Sequence, residues 1–444
     1  MSGVAATLDL RLYEQRAVSF VDDDGYPVTV PAEVELEDGR LIVRPARGFD
    51  PARISGRKVN VVLNHITPLP GGGYTDRRYI AFTGPALSVD DRLQVEPERT
   101  YRWNEKEVPF PEYVEVSTPR ARRYLESLGK KLGVDFKPGI GSFWRLFRVV
   151  RLPFLTATAV PVAIGGGVSF YHGAFDITLL LLTFLGLALI HMGLNVANDY
   201  FDTLLGADPA NRRPTPFSGG SRSILYGLIS MSGARALYTA LFASGSAIGL
   251  YLALTRGLVP ILGLTALGLF LAYFYTAPPL KLAYRGLGEL AVGTGFGPVI
   301  VMGTYFVQKQ AFSVDALVAS IPIGILIMLI LYVNEIPDAE FDAIAGKRHL
   351  LTRFTREQAL LFLAASLAAT YAVIALIPVL GLGPPTVLIA LATIPRAVRI
   401  YRGARTYFGK QYEMIPTMAL NVNNAAITGA LLAAGYYVGA FLGL

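Results

Sequence analysis

Two hydrophobic patterns follow one another along the chain. Up to residue 116, apolar and polar positions alternate in short runs such as "YPVTVPAEVEL", "RLIVRP", "KVNVVLNHI" and "YIAFTG", separated by Asp-Gly, Gly-Gly-Gly and proline-rich turns. A period of two puts every second side chain on one face, so these runs predict half-buried β-strands. A helix over 118–132 follows, opened by Thr118 and Pro119 and closed near Gly133. From residue 141 the alternation stops. Apolar residues then run in blocks approaching the roughly 20 residues that a helix needs to cross a bilayer. Nine blocks are predicted, at 153–172, 175–198, 233–255, 258–276, 287–308, 313–334, 358–380, 383–398 and 418–442, the eighth being the shortest. The expected architecture is an all-α polytopic membrane bundle of nine transmembrane helices over 141–444, preceded by a mostly-β soluble domain over 1–140.

Charge sharpens this division. Residues 1–140 hold 41 charged side chains, 20 Lys/Arg and 21 Asp/Glu, whereas the 304 residues from 141 onward hold 32, 20 Lys/Arg and 12 Asp/Glu. The whole excess of positive charge therefore sits in the apolar part, where membrane topology explains it better than nucleic acid does. Arg212, Arg213, Arg222, Lys281, Arg285, Lys347, Arg348, Arg353, Arg356, Arg396, Arg399, Arg402, Arg405 and Lys410 fall in one set of connecting segments; only Arg256 and Lys309 fall in the other. Arg145, Arg148 and Arg151 precede the first block on the richer side. The positive-inside rule then predicts a multi-pass cell-membrane protein with a cytoplasmic N-terminal domain and the C-terminus outside. No early apolar stretch resembles a signal peptide, in keeping with that orientation. The chain has no cysteine, which excludes thiol catalysis, Cys-ligated metal and disulfide scaffolding.

Acids are rare in the membrane part, and seven of the twelve fall in two clusters. One is "NVANDYFDTLLGAD", with Asn195, Asn198, Asp199, Asp202 and Asp208; the other is "NEIPDAEFD", with Asn334, Glu335, Asp338, Glu340 and Asp342. Both lie at the cytoplasmic ends of apolar blocks, the second and the sixth, and each is followed by a basic segment, "NRRPTPFSGGSR" or "AGKRHL". Helical spacing gathers the carboxylates and amides of each cluster on one face. Like charges so placed repel unless a cation sits among them. Oxygen ligands suit Mg²⁺, which binds one or two carboxylates together with substrate phosphates, and neighbouring Lys/Arg side chains can take the remaining phosphate oxygens. The pattern points to a Mg²⁺–diphosphate site at the cytoplasmic mouth of a helical bundle. Solvated helix ends paired with arginines are the alternative for any single cluster, and two matched clusters argue against it.

On "NDYFD" at 198–202, "NEIPDAEFD" at 334–342 and the helix count, residues 141–444 resemble the UbiA superfamily of intramembrane aromatic prenyltransferases. The resemblance implies Mg²⁺-dependent transfer of an isoprenyl chain from its diphosphate to an aromatic acceptor. "PTPFSGGSRSI", "PPLKLAYRGLGEL", "GPVIVMGTYFVQ" and "NEIPDAEFDAIAGKRHL" are similar to the menaquinone branch, which prenylates 1,4-dihydroxy-2-naphthoate. Transfer to geranylgeranylglyceryl phosphate in ether-lipid synthesis is the alternative acceptor chemistry, although "NRRPTPFSGGS" departs from that branch. Carried over, Asn198, Asp199 and Asp202 would hold one Mg²⁺, and Asp338 and Asp342 a second. Asn195 and Asn334 lie on the same helix faces. Arg222, Lys347, Arg348 and Lys281 would contact the diphosphate, and the rings of Tyr200, Tyr275 and Tyr284 would face the allylic cation. The partners so implied are an isoprenyl diphosphate, an aromatic acceptor and membrane lipid, with no nucleic acid.

The remaining features carry less. The strand order of residues 1–116 is similar to split-barrel domains of the pyridoxamine-phosphate-oxidase type, many of which bind flavin. "GRKVNVVLNH" and "GYTDRRYIAFTGPA" would line such a flavin site, and a barrel without a ligand is the simpler expectation. His191 precedes Asp199 by two turns and is expected to be packed or hydrogen-bonded, and His65 stands alone in the β region. "GGG" at 165–167 follows no strand and is no dinucleotide fingerprint. Two other classes fit the hydropathy: a cation-coupled transporter, whose sites would lie nearer the midplane on broken helices, and a membrane-anchored flavin protein, in which the Asp clusters would be dispensable.

Overall fold

The computed structural model describes residues 9–37, 39–46, 48–68, 74–108, 113, 123, 126–127, 129–131, 133, 142–210, 215, 217, 220–344, 346–410 and 412–444. The chain divides into two compact units, Met1–Gly139 and Ile140–Leu444.

The first unit is built on seven antiparallel strands: β1 Gln15–Val21, β2 Pro27–Glu37, β3 Arg40–Pro45, β4 Lys58–Pro68, β5 Tyr74–Val89, β6 Arg92–Val95 and β7 Arg99–Asn104. Their order is β4-β1-β2-β3-β6-β5, and β4 also pairs with β5, so six strands close into a ring and β7 extends from β5. Closure removes the open edges of the ring. The alternation read from the sequence now has a direction. Val59, Val61 and Leu63 of β4 point inward with Val18, Val34, Val43, Phe82 and Leu93, and all are buried. β5 serves two partners in succession: Arg78–Thr83 pair with β7 and Ala86–Val89 with β6. At the changeover the chain bends past the segment joining β6 to β7, and a Cβ on Gly84 would stand 1.9 Å from the Glu96 carbonyl oxygen. Only glycine fits there. The helix expected over 118–132 lies mostly outside the described residues; Arg123, Glu126, Ser127, Gly129, Lys130 and Lys131 within it are helical.

The second unit is helical throughout. A short amphipathic helix, α1 (Ser142–Val149), precedes seven helices long and apolar enough to cross a membrane: α2 Leu152–Tyr171, including one turn of 3₁₀ geometry, α3 Ile177–Leu205, α4 Met231–Arg256, α6 Gly288–Lys309, α7 Val314–Glu335, α9 Arg356–Val379 and α11 Ile415–Leu442. Between them lie α5 (Leu258–Phe274, apolar but 17 residues long), α8 (Ala339–Ile344) and α10 (Ile394–Tyr407). The expected nine crossings are thus seven by length and composition among the described residues. The block at 258–276 yields a shorter helix. The block at 383–398 opens as a 3₁₀ stretch, Pro385–Thr393, that runs into the arginine-bearing α10.

Large apolar side chains remain outside, Val259 at 79% exposure and Phe441 at 86%. Aliphatic residues so exposed suit lipid rather than water. Inside, polar groups tie helices together. The buried Tyr332 hydroxyl donates to the Ala359 carbonyl at 3.0 Å, and Asn421 Nδ2 donates to the Leu329 carbonyl at 2.8 Å. In a medium without water such groups need internal partners. Around Pro298, which has no N–H to give, α6 widens into a π turn over Gly295–Val299.

Candidate functional site

Both clusters arrive at the same end of the bundle because of how their helices stop. α3 is capped by Asp176, whose carboxylate accepts from Thr178 N and Leu179 N, and it ends at the left-handed Gly206. Its 29 residues span about 44 Å, more than the roughly 30 Å of a hydrocarbon core. The last three turns therefore carry Asn195, Asn198, Asp199 and Asp202 beyond the apolar stretch. Asn198 Nδ2 donates to Asp202 Oδ2 at 2.9 Å, which is the i,i+4 contact expected from the spacing. α7 ends at Glu335 and α8 carries Asp342. Then Gly346 (φ 77°) reverses the chain, with Gly346 N donating to Ala343 O and Lys347 N to Asp342 O. This glycine-terminated hydrogen-bond pattern turns Lys347 back toward the carboxylates.

Lys347 Nζ lies 3.9 Å from Asp202 Oδ2 and 3.7 Å from Asp342 Oδ2, so it joins the two clusters. Burial disfavours its charge, but the facing carboxylates of Asp202 and Asp342 outweigh burial and hold the ammonium well above the ordinary lysine value. Burial likewise opposes ionisation of Asp342, and Lys347 and His349 more than offset it, lowering its pKa. Asp208 has the opposite balance: burial, with Asp199 and Asp202 nearby, raises its carboxyl well above the usual range. The Tyr284 hydroxyl donates to Asp202 Oδ1 at 2.7 Å, and the ammonium groups of Lys281 and Lys347 each lie 5.8 Å from the Tyr284 ring centroid.

Asp202, Asp208, Asp342 and Lys347 line a cavity of about 1150 Å³ including its open mouth, whose polar wall also holds Arg151, Asn198, Asn334, Glu335 and Asp338; Tyr284 and Lys281 stand outside its lining. A second cavity of about 1020 Å³ lies between α3, α4, α5 and α6 and is almost wholly apolar. Six glycines line it: Gly186, Gly245 and Gly249 let the helices approach closely, and Gly268, Gly295 and Gly303 leave room that side chains would fill. The two cavities share His191, Leu194, Tyr275, Val292 and Phe296 as lining, so the polar chamber and the apolar one adjoin across these side chains.

Several expected residues take other places. Asp199 is buried and saturated by Arg151, by the Ser221 hydroxyl and by Ser221 N at 3.1 Å; it is not among the residues lining the polar cavity. Asn195 also lines the cavity, and its Nδ2 donates to the Val150 carbonyl at 3.1 Å, fixing the approach of the chain to α2. Tyr200 packs on Phe201 and Tyr238 in a separate apolar cluster and lines neither cavity, whereas Tyr275 lines both. Arg222 is buried and donates to the Asp208 carbonyl at 2.9 Å, and Arg348 is exposed. His191 accepts or donates a 2.8 Å hydrogen bond with Thr158, as a packed histidine should. His65 has the Asp76 carboxylate at 3.4 Å. Arg212 and Arg213 lie outside the described residues.

Sequence reasoning passed over Arg151, Asp208, Ser221, Glu289 and His349. Arg151 was legible only as one of three basic residues ahead of the first block. Its left-handed backbone (φ 53°) brings it beside Asp199, a contact no spacing rule predicts. Asp208 was visible within the first cluster, and its place in the cavity wall comes from the turn at Gly206.

Residues 159–424 match the UbiA prenyltransferase family. Over 306 residues the chain is 28% identical to the 2-carboxy-1,4-naphthoquinone phytyltransferase of Synechocystis sp., covering 67% of this chain and 94% of that protein. Over 303 residues it is 30% identical to the 1,4-dihydroxy-2-naphthoate octaprenyltransferase of Mycobacterium tuberculosis, covering 66% and 98%. Among solved structures, a UbiA homolog from Archaeoglobus fulgidus bound to GPP and Mg²⁺ aligns with a TM-score of 0.49 at 17% identity, covering 65% of this chain and 99% of that one. The chain belongs to the UbiA prenyltransferase family and is an enzyme that transfers prenyl groups.

Proposed function

We propose that this enzyme transfers an isoprenyl chain from its diphosphate to 1,4-dihydroxy-2-naphthoate, with Mg²⁺ holding the diphosphate in the polar cavity. The observation that carries the reading is that a carboxylate-lined chamber adjoins an apolar one across His191, Tyr275 and Phe296. A prenyl diphosphate has the same division: an anionic head, a long apolar tail, and a reactive carbon where the two join. The naphthoate acceptor is supported by relatives whose names carry that substrate class and which the chain matches over nearly their whole length.

The polar wall fits Mg²⁺. Its donors are carboxylate and amide oxygens, and Asp208 Oδ2 and Asn334 Oδ1 are buried without a hydrogen-bond partner. Buried polar atoms are rarely left so, and hard oxygen ligands are what Mg²⁺ takes. Asn198, Asp202 and Asp208 would hold the ion on one side, and Asn334, Asp338 and Asp342 on the other. Bound Mg²⁺ supplies charge neutralisation on the departing pyrophosphate.

The chain's own groups do the rest. Lys347 binds the diphosphate between the two clusters, with Arg151 in the same wall; Arg222 steadies the Asp208 backbone from behind that wall, and Lys281 stands outside it beside Tyr284. Asp199 orients Arg151 toward the head group rather than binding metal itself. Exposed Arg348 acts at the mouth. As the allylic C–O bond lengthens, positive charge grows on the prenyl carbon at the junction, where the Tyr275 ring lies; an aromatic face stabilises a cation without trapping it. Tyr284 lines neither cavity and acts on the site through its hydroxyl bond to Asp202, and Tyr200 plays no part. The electron-rich acceptor ring attacks, the new C–C bond forms, and loss of its carboxyl as CO₂ returns the bonding pair to the ring.

Nine crossings complete the topology, with α5 and the segment 385–398 as the two short ones. The basic connecting segments support an orientation with the clusters and residues 1–140 on the cytoplasmic side and the C-terminus outside.

The test is pyrophosphate release by the full chain in detergent, given geranylgeranyl diphosphate, Mg²⁺ and 1,4-dihydroxy-2-naphthoate. Release that needs the naphthoate and stops with EDTA supports the proposal. Release with geranylgeranylglyceryl phosphate instead overturns the acceptor, and no release with either overturns the reading.

A further inference from the structure

At the wall of the polar cavity, which Glu335 lines, a group of three side chains has no role in prenyl transfer as derived above. Glu289 on the first turn of α6, Glu335 at the end of α7 and His349 in the segment after α8 are all buried, at 1%, 5% and 0% exposure. One ligand atom from each lies within 4.8 Å of the other two. Glu289 Oε1 accepts from Leu350 N at 2.9 Å, which leaves Oε2 with no hydrogen-bond partner; Glu335 Oε2 and His349 Nδ1 have none either. The nearby ammonium of Lys347 faces Asp202 and Asp342. Two carboxylates buried this way against one imidazole are costly without further positive charge.

We propose that Glu289, Glu335 and His349 form a site for a transition-metal dication of the Zn²⁺ class, separate from the Mg²⁺–diphosphate site. Three features point there. First, His349 Nδ1 and Glu335 Oε2 are 3.5 Å apart, too far for a hydrogen bond. Two donors each about 2.0–2.1 Å from a tetrahedral ion stand roughly 3.4 Å apart, so the gap is the width of a metal. Second, an imidazole nitrogen beside two carboxylates selects Zn²⁺ or Mn²⁺ over Mg²⁺, which prefers oxygen alone. Third, His349 Nε2 lies 3.1 Å from Asp342 Oδ2, near but out of hydrogen-bonding alignment, so both ring nitrogens are buried without a hydrogen-bond partner. A metal-bound histidine characteristically turns its other nitrogen to a carboxylate, which fixes its tautomer and orientation. The ion would pin α6, α7 and the segment carrying Lys347 to one another and, through His349, hold Asp342 in place.

The experiment strips full-length protein in detergent with a chelator, then dialyses it against millimolar Mg²⁺ with micromolar Zn²⁺ and counts metal by mass spectrometry. Retention of about one Zn²⁺ per chain is expected in the wild type and in Asp338→Asn, with loss in His349→Gln and Glu289→Gln. X-ray absorption on the wild type should show one imidazole nitrogen among oxygen ligands; this reading needs no variant to fold. Wild-type protein that retains no Zn²⁺ over Mg²⁺, folded His349→Gln and Glu289→Gln that retain as much as wild type, or an absorption spectrum without imidazole would each overturn the proposal.

Discussion

The Tyr284 hydroxyl donates to Asp202 Oδ1 at 2.7 Å, joining the loop after α5 to the end of α3 across 82 positions of sequence. That bond uses one oxygen of Asp202 and leaves Oδ2 to Asn198 and Lys347. Tyr284→Phe keeps the ring and removes the donor. A hydrogen bond to a charged group contributes about 1.5–3 kcal/mol, so kcat/KM should fall roughly ten- to hundredfold while the fold survives. Tyr284→Leu should fall further, because it also removes the ring that stands beside the Lys281 and Lys347 ammonium groups. Equal losses in steady-state kinetics of the two variants would mean that the ring itself contributes nothing.

Lys347 is the charge shared by both clusters. Without it, Asp202 and Asp342 face each other across the cavity with less positive charge between them. Breaking a buried pair by deleting one partner costs about 3–5 kcal/mol. Lys347→Met should therefore melt well below wild type in EDTA, and Mg²⁺ should restore much of the difference, since a dication can replace the ammonium. Thermal melts of both proteins in EDTA and in Mg²⁺ check this; a deficit indifferent to Mg²⁺ would place the ion away from these carboxylates.

The apolar cavity makes a separate prediction about chain length. Gly303 lines it on α6, about 16 Å along the helix from Val292 at the junction, and a Cβ there would meet nothing closer than Leu264 Cδ1 at 3.7 Å. Gly303→Leu should thus fill space without distorting backbone. Use of geranylgeranyl diphosphate should drop at least about tenfold, the cost of about 1.4 kcal/mol of lost tail burial, while dimethylallyl diphosphate is used as before. Competition between the two donors reads this out directly, and parallel losses would show that the tail lies elsewhere.

Much of this was legible in the sequence because the signals were local. The strand runs became β2 to β5, and the two acid clusters came together because each sits at a helix end. What escaped depended on where the chain turns. Asp208 enters the cavity wall through Gly206 and Arg151 through its own left-handed backbone, whereas Lys347, expected at the diphosphate, reaches the wall through Gly346. None of these follows from periodicity. Tyr200 and Tyr275 look alike in sequence, yet one packs behind α3 and the other lines both cavities. The short α5 and the 3₁₀ stretch at Pro385–Thr393 illustrate another limit, since hydropathy registers apolar content but not helix type or length.

Asp199 gives the sharpest discrimination between a role read from its motif and one read from its contacts. If it ligates Mg²⁺, Asp199→Asn should raise the Mg²⁺ concentration needed for half-maximal rate. If it orients Arg151, the Mg²⁺ requirement should stay near that of wild type while KM for the prenyl diphosphate rises, and Arg151→Gln should raise KM similarly. Residues that act through one contact are not additive. The double variant should therefore lose little more than either single one, with a coupling energy of about 0.5–3 kcal/mol from KM and kcat in a double-mutant cycle. The buried position of Asp199, its bonds to Arg151 and Ser221, and its absence from the cavity wall favour the second outcome. Additive losses together with a shifted Mg²⁺ requirement would return Asp199 to the metal.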